Sequence, residues 1–240
     1  MSNNIDKFGV EANVWFKSKF PTAEIELLLS HPWAKTWKIT DQGKVCFLKQ
    51  IRGGSPEKIV RTKSIASVFQ GTVPKVLASN PEISVMVVAD HGGTELKSRS
   101  KNMHAVLTCY AKLQVESIKQ AKNLDCIPYL QIETLHNNFL NFLNIDYPDR
   151  DNHVVGADFF IGKEKARQYH SLFLEITPIL QLILEKASDL PCAINHCDLR
   201  PPNMAKRPDG SITIFDWDDA KWGPLGLSLH AQFSGCLRPH

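Results

Sequence analysis

The sequence predicts an α+β fold of two lobes, a small antiparallel β-sheet lobe followed by a mainly helical one. Three observations carry this. Strand-like segments crowd residues 1–90. Apolar residues at helical spacing dominate from Lys101 onward. Between them, an apolar run stops abruptly at Asp90-His91-Gly92-Gly93, so that Ala89 to Thr94 reads as a hinge. The first lobe is therefore placed at residues 1–90 and the second at 91–240.

The elements follow in order. Lys35 to Thr40 and Lys44 to Ile51 read as two strands joined by the turn residues Asp41-Gln42-Gly43. Arg52-Gly53-Gly54-Ser55 breaks the second strand, and Ser55-Pro56-Glu57 starts a helix, with Ser55 as cap and Pro56 in the first turn. Ile59, Ile65, Val68 and Phe69 give that helix an apolar stripe. Val73 to Ala78 and Ile83 to Ala89 are two further strands. Beyond the hinge, Met103, Val106, Leu107, Tyr110, Leu113 and Ile118 mark one helix, Ile132 to Leu143 a second, and Ala166 to Leu184 a third. Residues 144–160 are polar and turn-rich, and Ala193 to Asn195 and Ser211 to Phe215 read as short strands.

A chain of 240 residues with 43% hydrophobic and 22% charged residues has an ordinary globular composition, with enough length for one good core or two small lobes. The net charge of +3, without a basic block, gives no argument for a nucleic-acid partner. No run of about 18 apolar residues suggests a membrane span, and Met1 to Lys7 lacks the apolar core of a secretory signal. Six cysteines without paired spacing read as reduced thiols in a cytoplasmic protein. Cys192, His196 and Cys197 cluster, but their spacing fits no usual zinc pattern.

The chemistry lies in His196-Cys197-Asp198-Leu199-Arg200-Pro201-Pro202-Asn203 and, thirteen residues after Asn203, in Ile214-Phe215-Asp216-Trp217-Asp218-Asp219. A carboxylate, an amide five residues on and a second carboxylate at the end of an apolar strand form the layout of a phosphotransferase site. Asp198 is the candidate base for an acceptor hydroxyl, and Asn203 and Asp216 are hard oxygen ligands for Mg2+. Arg200 is placed to neutralise the transferring phosphate, with a solvated arginine as the alternative. His196 suits holding the loop by hydrogen bonds, and Pro201 and Pro202 stiffen it. Asp218 and Asp219 leave three roles open: helping the metal, binding a cationic substrate, or capping the segment.

Lys49 is the candidate phosphate-binding cation, read against a solvated strand lysine. Glu57 is the one carboxylate between Lys49 and Glu82, so an ion pair orienting Lys49 from the following helix falls to it; a glutamate favouring the helix dipole is the alternative. Asp146, Asp149, Asp151 and Asp158 are candidates for counter-charge to a cationic acceptor.

These motifs resemble the aminoglycoside phosphotransferase and choline kinase family, which has a protein-kinase-like fold. Ile194 to Asn203 is similar to its catalytic loop, Phe215 to Ala220 to its metal segment, and Met86 to Thr94 to its hinge. The resemblance implies ATP and Mg2+ as cofactors, a small-molecule hydroxyl acceptor such as an amino sugar or amino alcohol, and adenine contacts from backbone groups of Ala89 and His91. Three departures stand out. Leu29 to Lys35 replaces a glycine-rich phosphate loop, Cys197 stands where glycine or asparagine is usual, and the chain is short beyond Asp216. The last point carries a second reading, a nucleotide-binding regulatory domain without turnover.

Overall fold

The computed structural model describes residues 10–52, 55–97, 102–130 and 163–229. The expected helix from Ile132 to Leu143 and the polar stretch 144–160, with its four aspartates, lie outside the described residues.

The first lobe is built on a five-stranded antiparallel sheet: β1 (Glu24–Ser30), β2 (Ala34–Asp41), β3 (Lys44–Ile51), β4 (Val76–Asn80) and β5 (Val85–Ala89). The order is β1-β2-β3-β5-β4. The β2–β3 hairpin pairs Asp41 with Lys44. Gln42 and Gly43 at its tip both have positive φ, as a tight two-residue hairpin turn requires.

Alternation along β3 sorts its side chains. Cys46 and Leu48 face a core shared with Ala12 and Phe16 of helix α1 (Val10–Lys19) and with Ile39, Val85 and Val87. Ile51 points the other way, packing with Ile59 of helix α2 (Pro56–Val68) and with Met86. Because side chains in a strand alternate with a period of two, Phe47 and Lys49 share the face of Ile51. The sheet thus buries one side under α1 and offers Lys49 to α2 and the second lobe.

Helix α2 starts at Pro56 as its sequence suggests, but Ser55 does not cap it through its side chain. The Ser55 carbonyl accepts from Lys58 N instead. Strands β4 and β5 begin three and two residues later than their apolar runs: Val73 is buried in the connection from α2, and Ile83 ends the 3-10 turn Pro81–Ile83.

β6 (Thr94–Glu95) follows the Ala89 to Gly93 connection, and α3 (Met103–Lys119) and α4 (Lys163–Ser188) are the long helices of the second lobe among the described residues. Four short strands complete the described chain: β7 (Cys192–Asn195), β8 (Met204–Lys206), β9 (Ile212–Ile214) and β10 (Lys221–Pro224). They form two small antiparallel sheets, β10-β7 and β6-β8-β9. The main core gathers Tyr110 and Leu113 of α3 with Ile194, Leu199, Met204, Ile214 and Trp217, and runs on to Ile65 and Phe69 of α2. The loops of Asp198 and Asp216 therefore rise from the largest buried cluster among the described residues.

Candidate active site

The loop holding Asp198 is anchored from below by helix α3. Tyr110, Gln114 and Ser117 stand at i, i+4 and i+7, so they share one helix face, and all three are buried. Ser117 Oγ accepts from Ile194 N at 3.0 Å, Gln114 Nε2 donates to Ile194 O at 3.1 Å, and Tyr110 Oη accepts from His196 N at 3.1 Å. A buried polar stripe thus replaces the ladder partner that one edge of β7 lacks, as buried backbone groups require.

His196 is fully buried and links the two functional loops. Its Nδ1 lies 3.2 Å from Asp198 N, and a backbone N–H can only donate, so Nδ1 is the acceptor. The ring proton then sits on Nε2, which donates to Phe215 O at 2.8 Å. Burial pushes the imidazole below its ordinary pKa, which keeps this neutral form. Trp217 packs against the ring with centroids 4.5 Å apart, and its Nε1 donates to Ile214 O.

Backbone strain marks both loops. Cys197 and Asp216 have φ of 65° and 69°, the left-handed region. That conformation explains why glycine or asparagine suits position 197 better than cysteine. At Asp216 it turns the chain out of β9 and carries the carboxylate toward the first lobe.

Asp198 gathers two of the expected residues around it. Asn203 Nδ2 donates to Asp198 Oδ2 and to its carbonyl, each at 2.8 Å, and Arg200 Nε donates to Oδ2 at 2.9 Å. Phe215 N donates to Asn203 O at 3.0 Å, which ties the loop of Asn203 to the segment of Asp216. The amide nitrogen of Asn203 is turned to Asp198, which leaves its side-chain oxygen as an acceptor. That oxygen and the Asp216 carboxylate are the donor type magnesium takes.

Across the cleft, Lys49 of β3 forms ion pairs with Asp216 and, at 3.2 Å, with Asp218. Burial alone would lower the Lys49 pKa, but the two carboxylates outweigh it and hold the ammonium up to about 12. Burial likewise works against ionisation of Asp216, yet the Lys49 charge holds its carboxyl below the usual range. Asp218 goes the other way, raised by burial and then by the negative charge of Asp216, in spite of Lys49.

The expected Lys49–Glu57 pair is corrected. Among the described residues, Lys49 pairs with Asp216 and Asp218, and Glu57 is exposed. The reason is the rotation of α2. One residue along a helix turns about 100°, so Lys58, not Glu57, faces the site, where it meets Asp219 at 2.7 Å.

The connection from Ala89 to Thr94 is fixed from both sides. Ala89 N donates to Lys75 O, and the His91 carbonyl accepts from Arg207 Nε at 3.1 Å and Thr213 Oγ1 at 3.3 Å. Hydrogen bonds from these two residues to a base would therefore fall to the Ala89 carbonyl and the His91 N–H. The His91 ring stacks on Phe47 and Phe215, with centroids 6.0 and 5.2 Å away. In place of a glycine-rich loop, the β1–β2 turn stacks His31 on Trp33 at 4.9 Å.

Sequence reasoning did not find Tyr110, Gln114 and Ser117 as supports of the loop, nor Lys58 as a cleft residue. For the helix stripe a signal existed: polar residues spaced at i, i+4 and i+7 among apolar ones.

No family model and no curated protein matches the sequence. Solved structures match the fold. The choline kinase LicA from Streptococcus pneumoniae superposes with a TM-score of 0.62 at 13% identity, over 93% of this chain and 74% of that one. A choline/ethanolamine kinase family protein from Mesorhizobium loti gives 0.61 at 18% identity, over 93% and 69%. The aminoglycoside phosphotransferase APH(2")-IIa, in its ternary complex with streptomycin and ATP, gives 0.60 at 12% identity, over 93% and 74%. A strand-built first lobe, a helical second lobe and these neighbours lead to one conclusion: the chain has the two-lobed, protein-kinase-like fold of the choline kinases and aminoglycoside phosphotransferases.

Proposed function

We propose that the chain is an ATP-dependent phosphotransferase that moves the γ-phosphate to a hydroxyl of a small molecule, with an amino alcohol or amino sugar as the favoured acceptor class. One observation carries the reading. Asp198, held by Asn203 and Arg200, stands beside a segment whose Asp216 is engaged by a lysine from the opposite lobe. That is the arrangement phosphoryl transfer needs: a base for the acceptor, oxygen ligands for a cation and a positive charge for the phosphates. The neighbours support it, since they are choline, ethanolamine and aminoglycoside kinases, and solved complexes among them hold ADP or AMP-PNP.

In this reading Asp198 accepts the proton of the acceptor hydroxyl. The acceptor oxygen bonds to the γ-phosphorus as the bond from that phosphorus to the bridging oxygen breaks, and ADP leaves. Lys49 holds the phosphates, and Arg200, already at Asp198, offsets the charge on the transferring group. Asn203 and Asp216 would hold Mg2+, which when bound screens the phosphate oxygens. Ala89 and His91 meet the adenine edge with the carbonyl and the N–H named above. The five described cysteines are all free thiols, which suits a reducing, cytoplasmic setting. Among the described residues no helix is long and apolar enough to cross a membrane.

Nucleotide binding separates the roles. Titrating the wild type, Asp198→Ala and Asp216→Ala with ATP and magnesium by calorimetry should show affinity falling for Asp216→Ala and largely kept for Asp198→Ala. Unchanged affinity in Asp216→Ala would refute the metal assignment.

A further inference from the structure

In protein kinases the phosphate-binding lysine of the third strand is oriented by a glutamate from the helix that follows it. Here that helix presents a cation instead. Lys58 Nζ lies 2.7 Å from Asp219 and 3.9 Å from Asp218 Oδ2, while one turn further on Arg61, only 6% exposed, donates through its guanidinium to the Asp218 backbone carbonyl. Asp218 is 8% exposed and directs its other oxygen, Oδ1, to Lys49 Nζ at 3.2 Å. Its carboxylate is thus bracketed by one ammonium from β3 and one from α2, and its backbone is gripped by α2. Trp217, fully buried, fixes the chain just before it.

Asp216 also touches Lys49, but in the reading above its carboxylate is shared with the cation once nucleotide is bound. Asp218 is then the carboxylate left to Lys49. We propose that Asp218, held by Lys58 and Arg61, positions Lys49 for the phosphates, doing from the metal segment what a helix glutamate does in protein kinases. The helix contact is reversed in sign, so α2 acts on Lys49 through the second lobe rather than directly. Asp218 is a positioning residue: it acts on the phosphates only through Lys49. The inference rests on the phosphotransferase reading.

The test compares ADP formation from ATP and magnesium, with amino alcohols and amino sugars present as acceptors of the phosphate, by wild type, Asp218→Asn, Asp218→Glu and Lys58→Ala, alongside thermal melting and a magnesium titration. Displacing a phosphate-holding group by about 1 Å costs on the order of 10²-fold. Asp218→Asn should therefore lose roughly that much kcat, with KM for ATP changed far less and the magnesium concentration for half-maximal rate unmoved. Asp218→Glu, which restores the charge, should recover at least about tenfold of the loss, and the partly exposed Lys58→Ala should lose at least about threefold while melting like the wild type. A wild type that turns over no ATP with any of these acceptors, whether or not it binds ATP, sinks the phosphotransferase reading itself. With an active wild type, an Asp218→Asn rate within about threefold overturns this inference alone, as does a shifted magnesium dependence, which would make Asp218 a metal ligand. Should Asp218→Asn fail to fold, an unslowed Lys58→Ala overturns it in its place.

Discussion

At the scale of single residues, the site turns on which partner each polar group finds. Asp198 and Asn203 sit five apart in sequence, which singled out both residues, and they meet through two 2.8 Å hydrogen bonds that the spacing alone did not announce. Lys49 was equally visible, but its partner was not. Glu57 and Lys58 are neighbours in the chain and point in different directions from the helix, and nothing in the local sequence fixes that rotation. His196 supplies a measurement. Burial holds its pKa below the ordinary value of about 6.5, so the unfolded chain binds a proton that the folded chain refuses. Its stabilising contribution is complete above that pH and is lost as the pH falls toward the folded value. The melting temperature of the wild type should therefore fall from pH 7 to pH 5.5 more steeply than that of His196→Asn, and parallel slopes would contradict the buried neutral ring.

At the scale of elements, two supports control the placement of the loops. The stripe Tyr110, Gln114 and Ser117 on α3 carries β7 and, with it, Asp198. Polar residues at helical spacing look like a solvent face in a sequence, which is why Gln114 and Ser117 were hidden while Val106, Tyr110 and Leu113 of the apolar stripe are buried as expected and Ile118 is exposed. A buried donor or acceptor left without its partner costs about 1–3 kcal/mol. Gln114→Leu should accordingly lower the unfolding free energy by that order in urea denaturation, whereas an unchanged midpoint would mean that β7 is held by other contacts. The second support is Gly93. A Cβ there would lie 2.5 Å from the Lys206 carbonyl oxygen, a backbone atom in the β6–β8 contact. Gly93→Ala should push β6 from β8 and destabilise by about 1–3 kcal/mol, the usual cost of overpacking. A melting temperature equal to that of the wild type would show that the hinge yields freely. Helix α1 was missed for a related reason: only Ala12 and Phe16 are fully buried, with Trp15 partly so, too few to show a period.

At the scale of the molecule, the lobes were legible because their periodicities differ, two in the sheet and near 3.6 in the helices, and because Asp90-His91-Gly92-Gly93 interrupts both. The way they meet was not legible. Lys49 with Asp216, Lys58 with Asp219 and Arg61 with Asp218 all join residues more than 150 positions apart. Contacts of that separation follow from the whole fold and leave no trace in local composition. They also concentrate the chemistry: the first lobe sends its cations, and the second answers with carboxylates. Whether that meeting place transfers phosphate is decided most directly by following ATP-dependent phosphorylation of a panel of amino alcohols and amino sugars with the wild type and with Asp198→Ala. A general base contributes about 10²–10⁴-fold in rate. The expected result is transfer to at least one hydroxyl, reduced by that order in Asp198→Ala; an active wild type whose Asp198→Ala variant loses less than about tenfold would contradict the role given to Asp198, and ATP binding without transfer to any acceptor would contradict the function.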